Sequence, residues 1–164
     1  ALQRRHGPTA LVLSRQNLPV LDRKTLAPAS GVQWGGYILW EADVSPDVIL
    51  MGTGSEVHIA LEAGRLLQGN NIAARVVSLP SWELFDAQPL DYRHSVLPPG
   101  IKSRVSIEAG SPLGWERYVG SEGVIIGLSR FGASAPSRVI YEKLGLTARR
   151  MADEALNLRQ GGKK

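Results

Sequence analysis

Arg15 is the residue whose neighbours best equip it for chemistry. It follows the apolar run Thr9-Ala10-Leu11-Val12-Leu13, which reads as a buried strand, and it stands between Ser14 and Gln16. A planar guanidinium at the mouth of a strand can grip a phosphate through two parallel N–H donors, with the flanking hydroxyl and amide close by. A loop arginine is also commonly no more than a solvated charge, and spacing leaves that alternative open. The second candidate is Gly52-Thr53-Gly54-Ser55-Glu56, which follows an apolar run and opens a helical pattern, where backbone N–H groups welcome an anion. It has two glycines rather than the three of a dinucleotide fingerprint, and Leu79 is followed by Pro80 rather than a ribose-binding acid. The plainer reading is a tight turn in which Ser55 caps the helix and Glu56 faces the positive end of its dipole.

Other chemistry is sparse. His6, His58 and His94 have no partners at metal-ligand spacing, so no metal site is expected. Glu108, in Glu108-Ala109-Gly110 at a strand end, could present a carboxylate at the edge where α/β proteins bind ligands, or could be solvated or at an interface. Gly69-Asn70-Asn71 has turn composition. No Ser-His-Asp order or paired-carboxylate arrangement presents itself, and the absence of cysteine rules out thiolate chemistry and disulfides.

Positioning these groups requires a real core, which 164 residues with 43% hydrophobic and 21% charged content can supply. The formal charge of +4 comes from basic residues gathered toward the ends, such as Arg4, Arg5, Lys163 and Lys164. No basic stripe with interleaved aromatics crosses the middle, so nucleic acid is not an expected partner. No apolar run approaches membrane-spanning length and no secretory leader is visible, so a soluble, cytoplasmic protein is expected, without a membrane partner.

Five short branched runs read as strands: Tyr37-Ile38-Leu39-Trp40, Val48-Ile49-Leu50-Met51, residues 74–79, residues 104–108 and residues 124–127. Helical spacing covers residues 56–67, so residues 48–79 read as strand, crossover helix, parallel strand. Two further helices are expected over 136–144 and 148–158, with Pro136 in the first turn of one and Gly145 as its stop. The expected fold is α/β, with five strand candidates in a sheet that helices cover on both faces. Turn-rich residues 23–36 read as a linker, dividing a tail over 1–22 from a domain over 37–160, and the last residues, 161–164, read as a disordered tail.

The ordered words Gly7-Pro8-Thr9-Ala10-Leu11-Val12-Leu13-Ser14-Arg15-Gln16-Asn17-Leu18-Pro19, Gly52-Thr53-Gly54-Ser55-Glu56-Val57, Glu108-Ala109-Gly110 and Phe131-Gly132-Ala133-Ser134-Ala135-Pro136 resemble transketolases. The resemblance covers the end of the pyrimidine-binding domain and the C-terminal domain, for which it implies a three-layer α/β fold with a mixed, mostly parallel five-stranded sheet flanked by helices. It implies a parent enzyme that uses thiamine diphosphate and a divalent metal, magnesium or calcium, to move a two-carbon ketol unit from a ketose phosphate to an aldose phosphate. It also implies a homodimer. No Gly-Asp-Gly metal motif is present in this chain, and the family's cofactor-activating glutamate belongs to a region upstream, so no cofactor-binding, metal or catalytic residue is expected here. Of the substrate contacts only one carries over, onto Arg15, as a sugar-phosphate ligand. The chain alone is expected to be inactive, with a packing and dimer-contact role, and Trp82, Trp115 and Tyr118 are candidates for either interface or core. The alternative is a stand-alone regulatory or anion-binding module built on the Gly52-Thr53-Gly54-Ser55-Glu56 turn.

Overall fold

In the computed structural model, which describes residues 5–8, 10 and 13–161, the five branched runs become β1 (Tyr37–Glu41), β2 (Val48–Gly52), β3 (Ala74–Ser78), β4 (Arg104–Ile107) and β5 (Val124–Ile126). They form one sheet in the order β1-β3-β2-β4-β5. β1 runs antiparallel to β3, while β3, β2, β4 and β5 are mutually parallel. Every residue of β2 and β3 is buried, as continuous hydrophobicity demands of a sheet covered on both faces. Alternate side chains divide the core in two. Val48, Leu50, Val76, Val105 and Ile107 pack with α1 (Val57–Gln68) and α6 (Ala148–Gly161). Ile49, Met51 and Val77 pack on the other face with Phe85, Val96 and Tyr118, carried by α2 (Trp82–Asp86), α3 (Leu90–Val96) and α4 (Glu116–Val119).

The strand, crossover helix, parallel strand unit is β2-α1-β3, as expected. α5 (Ser137–Leu144) begins just after Pro136 rather than containing it, and Gly145 ends it with a left-handed φ of 72° and its N–H on the Tyr141 and Glu142 carbonyls. The two C-terminal helices cover the sheet unequally: α6 buries Ala148, Met151, Ala152 and Ala155, whereas α5 buries no residue and lies over the edge of the core. α6 continues through Gly161, beyond the expected end at residue 158.

Of the strand expected at Thr9-Ala10-Leu11-Val12-Leu13, residues 9, 11 and 12 lie outside the described residues; Ala10 and Leu13 form no strand, and Leu13 is 83% exposed. Residues 162–164 also lie outside them. Within the turn-rich segment, Leu26 is buried in the core, Ala27 N–H donates to the Leu39 carbonyl at 3.0 Å, and a 3-10 turn spans Ala29–Trp34. Gly35 closes that turn with φ 77°. A Cβ there would meet the Phe85 nitrogen at 2.3 Å and the Ser81 carbonyl at 2.5 Å, so only glycine fits.

Candidate functional site

The chain moves from β2 to β3 on one side and then returns to β4 on the other, so the order in which strands are added reverses between the parallel neighbours β2 and β4. At the carboxyl ends of such neighbouring parallel strands a crevice opens, and polar groups there are free to meet a ligand. β2 delivers Gly52-Thr53-Gly54-Ser55-Glu56 to this edge, and β4 delivers Glu108.

Glu56 is 97% buried, yet its carboxylate is satisfied: the hydroxyls of Ser55 and Tyr141 each donate to Oε1 at 2.6 Å. Tyr141 in turn receives Gln16 Nε2 at 3.3 Å, so a hydrogen-bonded line runs from the residue beside Arg15 into the sheet edge. Burial first, and then its hydrogen bond to Glu56, push the Tyr141 hydroxyl above its ordinary pKa.

Glu108 answers from the neighbouring strand. Its carboxyl is pushed up to about 7, first by burial and then by the Glu56 charge, against the hydrogen bond from Trp115 that favours ionisation. The edge therefore holds, beside the Glu56 carboxylate, a carboxyl that carries a proton for part of the time near neutrality. Glu108 is half-buried rather than solvated, and the charge of Glu56 is felt there.

Other expectations shift too. Ser55 caps no helix: its hydroxyl is spent on Glu56, within a 3-10 turn (Gly54–Glu56) that leads into α1. Because the Glu56 carboxylate already occupies the start of α1, an incoming anion would meet a buried negative charge there. Trp115 and Tyr118 are 1% and 4% exposed and belong to the core, with the Trp82 ring 5.3 Å from each. Asn70 Nδ2 donates to the Leu66 carbonyl at 2.8 Å and Asn71 adopts φ 58°, so both serve the turn read from their composition. His58 and His94 lie on different helices, and among the described residues no three His, Asp or Glu groups gather as a metal site would need. The residues present at the edge do not fit a divalent metal or a diphosphate. Arg15 itself is exposed, with Ser14 Oγ donating to the Gln16 carbonyl at 3.3 Å beside it.

Fold and edge together define an α/β domain of the mixed-sheet class, with its ionisable groups gathered where the parallel strands end. The family model described as "Transketolase-like TK C-terminal domain" matches residues 35–147. The transketolase of Aquifex aeolicus is 43% identical over 156 residues, covering 95% of this chain and 23% of its own. The chloroplastic transketolase of Craterostigma plantagineum is 48% identical, covering 96% and 30%. The solved structure of Pichia stipitis transketolase in complex with sedoheptulose-7-phosphate superposes with a TM-score of 0.80 at 37% identity, over 91% of this chain and 21% of that one. The chain belongs to the transketolase family and spans roughly a quarter of the length of these relatives.

Proposed function

We propose that this chain is the C-terminal part of an enzyme that transfers a two-carbon ketol unit from a ketose phosphate to an aldose phosphate. Membership of the transketolase family over nearly the whole chain carries this reading. Thiamine diphosphate and a divalent metal, magnesium or calcium, belong in this reading to domains beyond the 164 residues, and the chain alone neither binds them nor turns over. Residues 1–22 are the end of the pyrimidine-binding domain, 23–36 a linker and 37–160 the C-terminal domain. The enzyme works as a cytoplasmic homodimer. Among the described residues no helix is long and apolar enough to cross a membrane.

Within that enzyme Arg15 grips the substrate phosphate. Its exposure leaves the guanidinium open to a ligand, and the Gln16–Tyr141–Glu56 line supports a second role for this domain, holding the arginine's segment against the sheet edge. The packing and dimer-contact role is supported by apolar side chains left in water: Phe131 is 96% exposed and Leu113 79%, on the loops that follow β5 and β4.

The experiment is a comparison of wild-type and Arg15→Ala full-length enzyme on one phosphorylated and one phosphate-free ketose donor. Loss of a charge-assisted contact costs on the order of 1.5–3 kcal/mol, about tenfold to a hundredfold in kcat/KM, and should fall on the phosphorylated donor through KM. Equal losses on both donors would show that Arg15 supports structure and not phosphate recognition.

A further inference from the structure

At the other edge of the sheet, where β4 and β5 begin, an open cleft of about 580 Å³ lies between α3 and α4. Its walls carry four formal cations, Arg93, Lys102, Arg104 and Arg117, against two carboxylates, Asp86 and Glu122. One carboxylate is already engaged: Asp86 takes Arg117 at 2.9 Å and the Tyr118 hydroxyl at 3.2 Å. Arg104 spends its N–H groups on the backbone carbonyls of Leu97, Pro98, Ile101 and Tyr118, so among the described residues its charge meets no carboxylate. Burial lowers its pKa, the direction expected of a cation short of counter-charge.

Arg93 differs in kind from these. Its Nε is enclosed by protein, yet has no hydrogen-bond partner, and among the described residues neither Arg93 nor Lys102 forms an ion pair. A position in the last turn of α3 suits a basic side chain and accounts for its charge. That position does not account for the terminal guanidinium N–H groups, which have no hydrogen-bond partner among the described residues although Arg93 lines the cleft; Nε, sealed off by protein, takes no part in meeting a ligand.

We propose that this cleft binds a phosphate group, as the free ion or as a small phosphomonoester, with Arg93 as its principal donor and Lys102 as a second cation. Two cations in excess match one dianion, and the oxygens of a phosphate can accept from donors on separate elements at once, which a single carboxylate does less well. The volume exceeds what a phosphate fills, leaving room for an attached small organic part. The site is distinct from Arg15, which lies with Gln16 and Tyr141 at the opposite edge.

The test is a titration of the 164-residue chain with inorganic phosphate and, separately, with glucose 6-phosphate, at ionic strength held constant with chloride. Binding is followed by amide chemical shifts and by Tm. Saturable shifts at Arg93, Lys102 and residues 120–122, with Ser14, Gln16 and Asn17 unmoved, are the expected result. Tighter binding of glucose 6-phosphate than of phosphate assigns a phosphomonoester, and equal binding assigns the free ion. Arg93→Gln should weaken binding by about tenfold or more. Lys102→Ala, at an exposed position outside any helix or strand, should weaken it less and keeps the test valid should the Arg93 variant fold poorly. Arg15→Ala should leave the binding unchanged. Absence of saturable binding overturns the proposal, as does binding that Arg15→Ala abolishes or that Arg93→Gln and Lys102→Ala both leave intact.

Discussion

Tyr141 on α5 and Glu56 at the start of α1, 85 residues apart in sequence, are joined by a 2.6 Å hydrogen bond from the tyrosine hydroxyl to a buried carboxylate oxygen. The bond is one of the few that tie α5, which buries no residue of its own, to the rest of the domain.

Removing that donor should be felt in proportion to the charge it serves. Tyr141→Phe is expected to cost about 1–3 kcal/mol in urea unfolding, because it leaves a buried carboxylate oxygen short of a donor. Ser55→Ala removes the other donor to the same oxygen. The double variant should lose more than the sum of the singles, by at least about 0.5 kcal/mol, since only then is the carboxylate stripped of both hydroxyls. Strict additivity would show that solvent replaces each hydroxyl independently.

Glu108 sets a pH dependence of definite sign. Its folded pKa of about 7 lies above the ordinary carboxylate value, so the folded state binds the extra proton. The stability this confers is fully present below the unfolded pKa and is lost as pH rises through 7. Glu108→Gln keeps an oxygen for Trp115 and abolishes the charge. Its Tm should therefore exceed wild type at pH 8.5 and draw level near pH 5; a constant difference across that range would mean that Glu108 titrates normally.

Arg75 should be the costliest polar residue to remove. It is 92% buried within β3, bonds Glu41 through Nε at 2.8 Å and donates to the Val96 carbonyl at 2.9 Å. Arg75→Ala leaves Glu41 and the end of α3 without their partner, and a loss of about 3–5 kcal/mol is expected, measured by denaturant unfolding. Lysine should recover only part, because it cannot reach both acceptors with a planar fork.

Two glycines with positive φ should respond differently to alanine. Gly54 has φ 52° and open space around the missing Cβ, so Gly54→Ala costs only the backbone strain, about 1–2 kcal/mol. Gly35→Ala adds a collision with the backbone of α2 and should be several-fold worse in thermal unfolding. Comparable losses would show that the Ala29–Trp34 turn can shift away from α2.

Most of the sheet was readable because its strands are short, branched and sharply bounded, and α1 because Val57, Ile59, Ala60, Leu61, Ala63 and Leu67 recur at helical spacing. α2, α3 and α4 escaped, since four to seven residues hold too few turns for a period to emerge. A signal did exist for α2: Ser81 accepts from Leu84 N–H as an N-cap, with Glu83 in the first turn. The Glu56–Glu108 pair was invisible for another reason. Each carboxylate looks like an ordinary strand-end or helix-start acid, and only the order of strands in the sheet makes neighbours of residues so far apart in the chain.

Arg104 bonds carbonyls on both sides of its own strand, from Leu97 and Pro98 to Tyr118. A side chain that spans two connections in this way makes their opening a single event: the loop before β4 cannot detach without releasing the end of α4. In native-state hydrogen exchange, Ile101, whose N–H is held by the Pro98 carbonyl, and Val119, held by Trp115, should then exchange with one shared opening free energy. Arg104→Met would split that unit, so that the loop frays alone while α4 keeps its protection.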